Sequence, residues 1–556
     1  MGNEKHLGPI PFYTLAWLLR GSRAELAQRQ ILDLQGKPMP FPQSPQPVHF
    51  GAFIAGLVRS YFGARHPPMH EKFNLLSFKG NMRILHLSWI AFFISFAVWF
   101  NHAPLMAALR QNFGLTDQEV GILLILNVAL TIPARIVTGM LVDRFGPRLV
   151  FSAILIGSGL ICFAFALAQS FEQLALTRFL LGFVGAGFVV GIRMIGEWFP
   201  ARQAGIAQGI YGGWGNFGSA ASAMLLPTLA LLFGGAHGWR FAIAATGLVA
   251  IGYGIFYYCS AQDTPQGSTY FKPKKMGAME VTSRGDLLLY LLMSLPIYGA
   301  LALLVWKLSP AGLQWFSPAI TTILYAGVAL ICGYQGLKIY QVNREVLSKP
   351  IPELFHYSFR QVAILNLAYL VTFGSELALV SMLPLFYLDQ FHLSQVSAGI
   401  LAGAYPVMNL IARPAGGILS DRIGRRRSLL LLFAGIAGSF LLLGQVSAQW
   451  AVALVVANTL LCGLFAKGGS GAVFAMAPLI QRRMTGQIAG MVGAYGNVGG
   501  LVFLTVLSFV TPQVFFMVIG GAALVVLALI TLLLAEPRGE TAEVLPDGTV
   551  QMIKVG

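Results

Sequence analysis

Hydrophobic residues in this chain run in long unbroken blocks, unlike the alternation of half-buried strands or the one-sided stripes of soluble helices. Blocks of about 20 apolar residues, enough to cross a hydrocarbon core of about 30 Å as a helix, recur from residue 84 almost to the C-terminus. They predict about fourteen spans, near 84–106, 119–141, 149–168, 176–199, 204–233, 240–260, 287–307, 317–337, 361–388, 396–419, 428–447, 451–479, 486–511 and 513–535. The first block starts too late to be a signal peptide, so the chain is expected to reach the membrane uncleaved.

Composition agrees with a bilayer setting. Charged residues make up 10% of the chain and the mean hydropathy is +0.71, whereas soluble domains are roughly a quarter charged. The formal net charge of +16 invites a nucleic-acid reading, but the placement of the charges opposes it. With the N-terminus inside, Arg144, Arg148, Arg202, Lys274, Lys275, Arg422, Arg425, Arg426, Arg482 and Arg483 fall on or beside cytoplasmic connections. The opposite face has little beyond Arg110, Arg240 and Lys307. That asymmetry follows the positive-inside rule and predicts a multi-pass inner (plasma) membrane protein with both termini cytoplasmic. Cys162, Cys259, Cys332 and Cys462 all fall inside spans without a C-x-x-C arrangement, so they are expected to be packing residues.

The chain repeats itself. Residues 135–148 align without a gap on 413–426, and 205–218 align on 486–499 at an offset that differs by about three residues. A whole half is therefore duplicated in the same orientation. The expected organisation is a cytoplasmic N-terminal extension (1–83), a six-helix half (84–260), a cytoplasmic linker carrying two extra helices (261–360), a second six-helix half (361–535) and a cytoplasmic tail (536–556).

The first repeat contains G-x-L-x-D-R-x-G-x-R, with Gly139, Asp143 and Arg144 in one copy and Gly417, Asp421 and Arg422 in the other. It resembles the cytoplasmic signature of the major facilitator superfamily, which implies an all-α fold of two pseudo-symmetric halves. Its glycine would let helices approach, and its Asp and Arg offer charge-assisted contacts that can break and reform in a conformational cycle. A plain topogenic charge cluster explains the arginines but not the glycines and aspartates.

Charges within a bilayer cost about 2.5–3.5 kcal/mol each on insertion scales and are functional by default. Arg135 lies late in the second span and Arg413 at the matching point of its repeat mate. Facing each other across a pseudo-twofold pathway, two guanidinium groups would repel unless an anion lay between them. Their planar forks suit bidentate binding of a planar oxyanion such as nitrate, or bent nitrite. The alternative is that each arginine snorkels to the interface or pairs with Asp143 or Asp421. The second repeat adds stripes of small residues that let helices touch and slide. Within them Gly215 and Asn216 match Gly496 and Asn497, and the two amides are expected to act as uncharged donors.

These features together resemble the nitrate/nitrite porter family of the major facilitator superfamily over about 84–535. Its second- and eighth-helix arginines, counted in a twelve-helix scheme, map to Arg135 and Arg413, and its glycine-rich nitrate signature maps to 205–218 and 486–499. The run at 369–375 resembles the seventh-helix motif, implying that Tyr369 hydrogen-bonds the anion and Phe373 packs on it. Phe188 matches the aromatic covering the other face, and Asn216 its amide partner. The chain departs from the twelve-helix design in its two extra central helices, expected at the periphery, and in its N-terminal extension, whose 49–64 stretch is expected on the membrane surface.

The resemblance implies a secondary transporter of nitrate and nitrite working by alternating access, with no cofactor or metal. Partners are expected to be nitrate, nitrite, a proton and membrane lipid around a monomer, with no nucleic acid. Glu376 and Lys467 are ionisable groups beyond what two arginines require. A desolvated carboxyl that takes up a proton would support nitrate/proton symport, whereas a fixed Glu376–Lys467 pair would be structural and leave nitrate/nitrite antiport. Arg193 and Glu197, four residues apart, read as an intrahelical pair. H-E-x-x-H, C-x-x-C and the phosphate loop are not found, which argues against an enzyme. A nitrate-sensing receptor would need an output domain that neither terminus obviously provides.

Overall fold

The structure, a computed structural model of the chain, describes residues 73–199, 201–234, 236–265, 278–312, 314–348, 356–481, 484–536, 539–544 and 550–555. The readings for 49–64, Lys274, Lys275, Arg482 and Arg483, and for the side chain of Arg202, fall outside the described residues. So do the surroundings of Gly205 and Gly486.

Among the described residues, fourteen helical spans are long and apolar enough to cross a membrane. α1 is Gly80–Phe100. α2 runs as Asp117–Ala129 and then Thr131–Phe145, followed by α3 at Pro147–Ala166. α4 is Phe171–Leu181, a tight turn at Gly182–Ala186, and Gly187–Trp198. α5 is Ala201–Asn216 continued as Gly218–Phe233, and α6 is Gly238–Ser260. The two extra helices are α7, Arg284–Leu308, and α8, Pro318–Leu347. Then come α9 at Phe359–Phe391, α10 as Gln395–Val407 and Ala412–Ile423, and α11 at Arg425–Leu443. α12 at Val452–Ile480, α13 at Thr485–Leu507 and α14 at Pro512–Leu533 complete the bundle.

Local chemistry sets where these helices begin. Thr116 and Glu119 form a reciprocal capping box at the start of α2, and Ser170, Ser283, Ser317 and Ser394 cap α4, α7, α8 and α10 through their hydroxyls. The repeated motif ends on Gly146 and Gly424, whose φ values of +85° and +98° suit glycine. At both turns a carboxylate from beyond the half's last helix receives the exposed N–H groups of the next helix. Asp263 accepts from Arg148 N at 2.8 Å, and Glu536 from Arg425 N at 2.5 Å and Arg426 N at 2.8 Å.

The duplication reappears in the packing. α3 lies on α6 as α11 lies on α14, and α1 lies on α5 as α9 lies on α13. The first six and last six spans meet where α5 crosses onto α10 and α13 crosses onto α2. Each glycine-rich helix thus crosses to the arginine-bearing helix of the other half. α7 packs on α9 and α13, with Tyr495 Oη donating to Met293 O at 2.6 Å. α8 packs on α7 and, through the buried Asn343, on the backbone of Met279 and Val281, while most of its length is exposed, the peripheral position expected of it.

Beyond α14 the tail forms an antiparallel hairpin, β1 at Gly539–Val544 and β2 at Val550–Val555, paired from Gly539 with Val555 to Val544 with Val550. Other expectations need correcting. Cys162 and Cys462 are buried, but Cys259 is exposed and Cys332 partly so, because they lie on the outward faces of α6 and α8. The close approach expected at Gly139 and Gly417 is not at those positions. A Cβ on Gly417 would meet nothing within 4 Å, and on Gly139 only Val189 at 3.9 Å. The tight contact is at Gly416, where a Cβ would strike the Gly468 carbonyl of α12. Asp421 pairs with Arg425 one turn on, Arg144 lies over Phe145, and Asp143 lies near Arg193, which pairs with Glu197 at 2.8 Å as expected.

Candidate functional site

α2 and α10 are both interrupted near their middle, α2 at Leu130 and α10 through a tight turn at Met408–Leu410. Arg135 and Arg413 follow these breaks, early in the second segment of each helix. Their side chains are only 6% and 4% exposed, so neither snorkels. Neither pairs with an aspartate of the repeated motif.

The two arginines converge on one ring. The Arg135 guanidinium carbon is 5.7 Å from the centre of Phe373 and that of Arg413 is 5.8 Å from it, while Arg135 is also 5.3 Å from Phe188. Tyr369 stacks on Phe373 with centroids 5.1 Å apart. Phe474 closes the cluster edge-on, 4.9 Å from Tyr369 and 5.9 Å from Phe188. The rings supply flat apolar surfaces, and the quadrupole of each ring face favours the cations beside it.

Each guanidinium is held by the opposite half. Arg135 Nη1 donates to Gly493 O at 2.7 Å, and the Asn497 amide oxygen accepts from Arg135 Nη1 and Nε, both at 3.0 Å. The Asn216 amide oxygen accepts from Arg413 Nη1 while its nitrogen donates to Gly212 O at 3.3 Å. Arg413 Nη2 donates to the Tyr369 hydroxyl at 2.8 Å. Turning the Asn216 amide over would give a 3.3 Å bond to Glu376 Oε1, but it would set an N–H against the guanidinium. The orientation with oxygen toward arginine is therefore the consistent one, and both amide oxygens serve the arginines as acceptors, a role beyond the donor one expected of them. Tyr369, accepting from Arg413, keeps its own hydrogen free to donate.

Glycine is needed at different points of the stripes for different reasons. A Cβ at Gly493 would sit 3.2 Å from Arg135 Nη1, and one at Gly212 3.6 Å from the Arg413 guanidinium. A Cβ at Gly496 would lie 2.7 Å from both Phe373 and Tyr369, whereas Gly215 faces Phe92 of α1. Gly496 therefore borders the aromatic cluster, and Gly215 serves the packing of α5 on α1. Gly496→Ala is expected to displace the Tyr369–Phe373 stack and lower transport roughly tenfold or more, since small misplacements at a site are costly. Proteoliposome uptake at equal protein loading checks this.

Beside Arg413 lies a second buried group. Glu376 Oε1 is 2.9 Å from Lys467 Nζ, with both side chains 0% exposed, and accepts from Asn409 Nδ2 at 2.7 Å. Among the described residues Glu376 Oε2 has no hydrogen-bond partner, and Lys467 also lies 4.2 Å over the Tyr405 ring. Asn409, Phe474 and Tyr405 were not singled out from sequence. The available signal was helical spacing: Asn409 precedes Arg413 by four residues, and Phe474 follows Lys467 by seven. Elsewhere, a cavity of about 420 Å³ among α2, α3 and α4, bordered by Leu141, Phe145, Ile154 and Phe183, is almost wholly apolar and offers nothing to a small oxyanion.

A family model described as Major Facilitator Superfamily matches residues 88–345 and 365–552. The "Nitrate/nitrite transporter NrtP" of Nostoc punctiforme is 43% identical over 475 residues, covering 84% of this chain and 95% of that protein. The "Probable nitrate/nitrite antiporter NarK1" of Thermus thermophilus is 28% identical over 448 residues, covering 75% and 83%. An inward-open structure of the xylose transporter XylE from E. coli superposes with a TM-score of 0.55 at 13% identity, covering 83% of this chain and 98% of that one. At that identity the likeness concerns the fold alone.

Proposed function

We propose that this chain, which belongs to the nitrate/nitrite porter family of the Major Facilitator Superfamily, moves nitrate and nitrite across the cell membrane by alternating access, with the anion held between Arg135 and Arg413. The observation that carries this reading is the pair of buried guanidinium groups beside one aromatic ring. Among the described residues neither is bonded to a carboxylate. Two such charges in an apolar interior call for an anion. A planar ion would lie against the faces of Phe188 and Phe373, the rings that flank Arg135, with Tyr369 able to donate to it, and the closely packed rings favour a small anion over a roomier organic one. Because each arginine takes hydrogen-bond partners from the other half, Arg135 from Gly493 and Asn497 and Arg413 from Asn216, rocking of the halves would remake the site's bonds in each cycle. We place both termini on the cytoplasmic side, so the end bearing Arg110 faces outward.

Inward movement of an anion against an inside-negative potential costs about 2.3 kcal/mol per charge per 100 mV, so uptake needs a coupled ion. We assign that role to Glu376, whose bare Oε2 is where a proton would add, releasing Lys467 beside Arg413. Nitrate/proton symport is therefore the reading we favour. The fixed Glu376–Lys467 pair and the antiporter name of the Thermus relative support nitrate/nitrite exchange as the second reading.

The test uses purified protein in liposomes loaded with a pH dye, with nitrate added outside and no nitrite within. Glu376→Gln is combined with Lys467→Met so that no lone charge stays buried. Lumenal acidification in the wild type, lost in the double variant while nitrate still binds, is expected for symport. Uptake that requires preloaded nitrite and leaves the pH unchanged would establish exchange and reduce Glu376 to a structural part.

A further inference from the structure

At the end of the bundle bearing Arg110, the two halves are shut against each other. A Cβ on Gly399 of α10 would strike the Ala223 carbonyl of α5, and one on Gly403 would lie 3.3 Å from the Ala220 carbonyl. Spanning the same seam, Arg110, in the short helix Met106–Phe113 after α1, donates from Nη1 and Nη2 to both oxygens of Asp389 at 3.1 and 2.8 Å. Asp389 lies near the end of α9, so the pair joins the first six spans to the last six. Gln395 Nε2 adds a bond to Pro104 O at 3.2 Å. A second carboxylate stands ready: Asp117, at the start of α2, is 3.7 Å from Arg110 Nη1.

We propose that Arg110 and Asp389 form a latch that holds this end closed, and that Arg110 passes to Asp117 when the end opens. Arg110 and Asp117 lie on consecutive spans of one half and stay together if the halves move as rigid bodies. Asp389 belongs to the other half and leaves. The guanidinium then exchanges one carboxylate for another, so opening never strands its charge. The side chains are 31% exposed for Arg110, 43% for Asp389 and 97% for Asp117, so solvent and salt screen both pairs. A screened, bidentate latch biases the equilibrium without freezing it, which suits a contact that must break once per cycle. The proposal rests on the alternating-access part of the function above and not on which anion travels.

The test places a reporter thiol under the seam. In full-length protein with its four native cysteines replaced, Ala220→Cys, fully buried beneath α10, is exposed to a membrane-impermeant maleimide from the Arg110 face. Asp389→Asn is expected to speed labelling about two- to fivefold, the shift an exposed ion pair supports. Asp117→Asn is expected to slow it, because the open state loses its acceptor. Exchanging the charges, Arg110→Asp with Asp389→Arg, rebuilds the pair but sets Asp117 against a like charge, so in an Asp117→Asn background the exchange is expected to restore the rate of Asp117→Asn alone, whether or not either single variant folds less well. A rate unchanged by Asp389→Asn, or a charge exchange that only adds the two single effects, would overturn the latch. An unchanged rate in Asp117→Asn would overturn the exchange of partners. Absence of labelling in every variant and in wild type would count against alternating access itself.

Discussion

Arg413→Lys is expected to lower nitrate transport about 100-fold or more while leaving membrane insertion near that of wild type. The charge survives the change, so a site that needed only a cation would continue to work. What is lost is the fork. Arg413 donates Nη2 to Tyr369 and Nη1 to Asn216 while its plane stands beside Phe373, and an ammonium point charge on a flexible stem cannot hold those directions together. Charge-assisted hydrogen bonds are worth about 1.5–3 kcal/mol each, so losing two of them reaches the stated effect. Uptake by proteoliposomes, normalised to inserted protein, reads it. Wild-type rates in this variant would remove the paired-arginine site.

Lys467→Met is expected to destabilise the protein by about 3–5 kcal/mol, because it leaves the Glu376 carboxylate buried without its cation. Restoring neutrality with Glu376→Gln in the same chain is expected to recover most of that loss, since two neutral groups of similar size need no pairing. The comparison of single and double variants isolates the pair from the packing of either side chain. Asn409, which donates to Glu376 Oε1 at 2.7 Å, is expected to donate equally to the Gln amide oxygen, so it does not confound the cycle. Denaturation midpoints of detergent-purified protein give the measurement. Equal stability of Lys467→Met and wild type would mean that Glu376 is already neutral there.

Much of this architecture was legible in the residues because a bilayer leaves few choices. Apolar blocks of spanning length had to be helices, and the gapless match of 135–148 with 413–426 exposed the duplication. Arg135 and Arg413 stood out as charges at equivalent points of apolar blocks, and both lie buried at one aromatic cluster. The partners of those arginines were not legible, because pairing across the halves depends on how α5 crosses α10 and α13 crosses α2. That the Asn216 and Asn497 amide oxygens accept from arginines of the opposite half was for that reason not foreseen. Asn409 and Phe474 carry no local signal beyond helical spacing in apolar surroundings. In the motif glycines, the sequence does not distinguish Gly416, pressed against Gly468, from Gly417 beside it, since one position turns the residue about 100° around the helix. Arg110 read as a lone charge on the sparsely charged face, because its partner is 279 positions away.

The most direct measurement is calorimetric titration of purified protein with nitrate, comparing wild type with the Arg135→Gln, Arg413→Gln double variant. The account predicts saturable binding in the wild type that disappears in the folded double variant. Binding of unchanged affinity without the two guanidinium groups would contradict it.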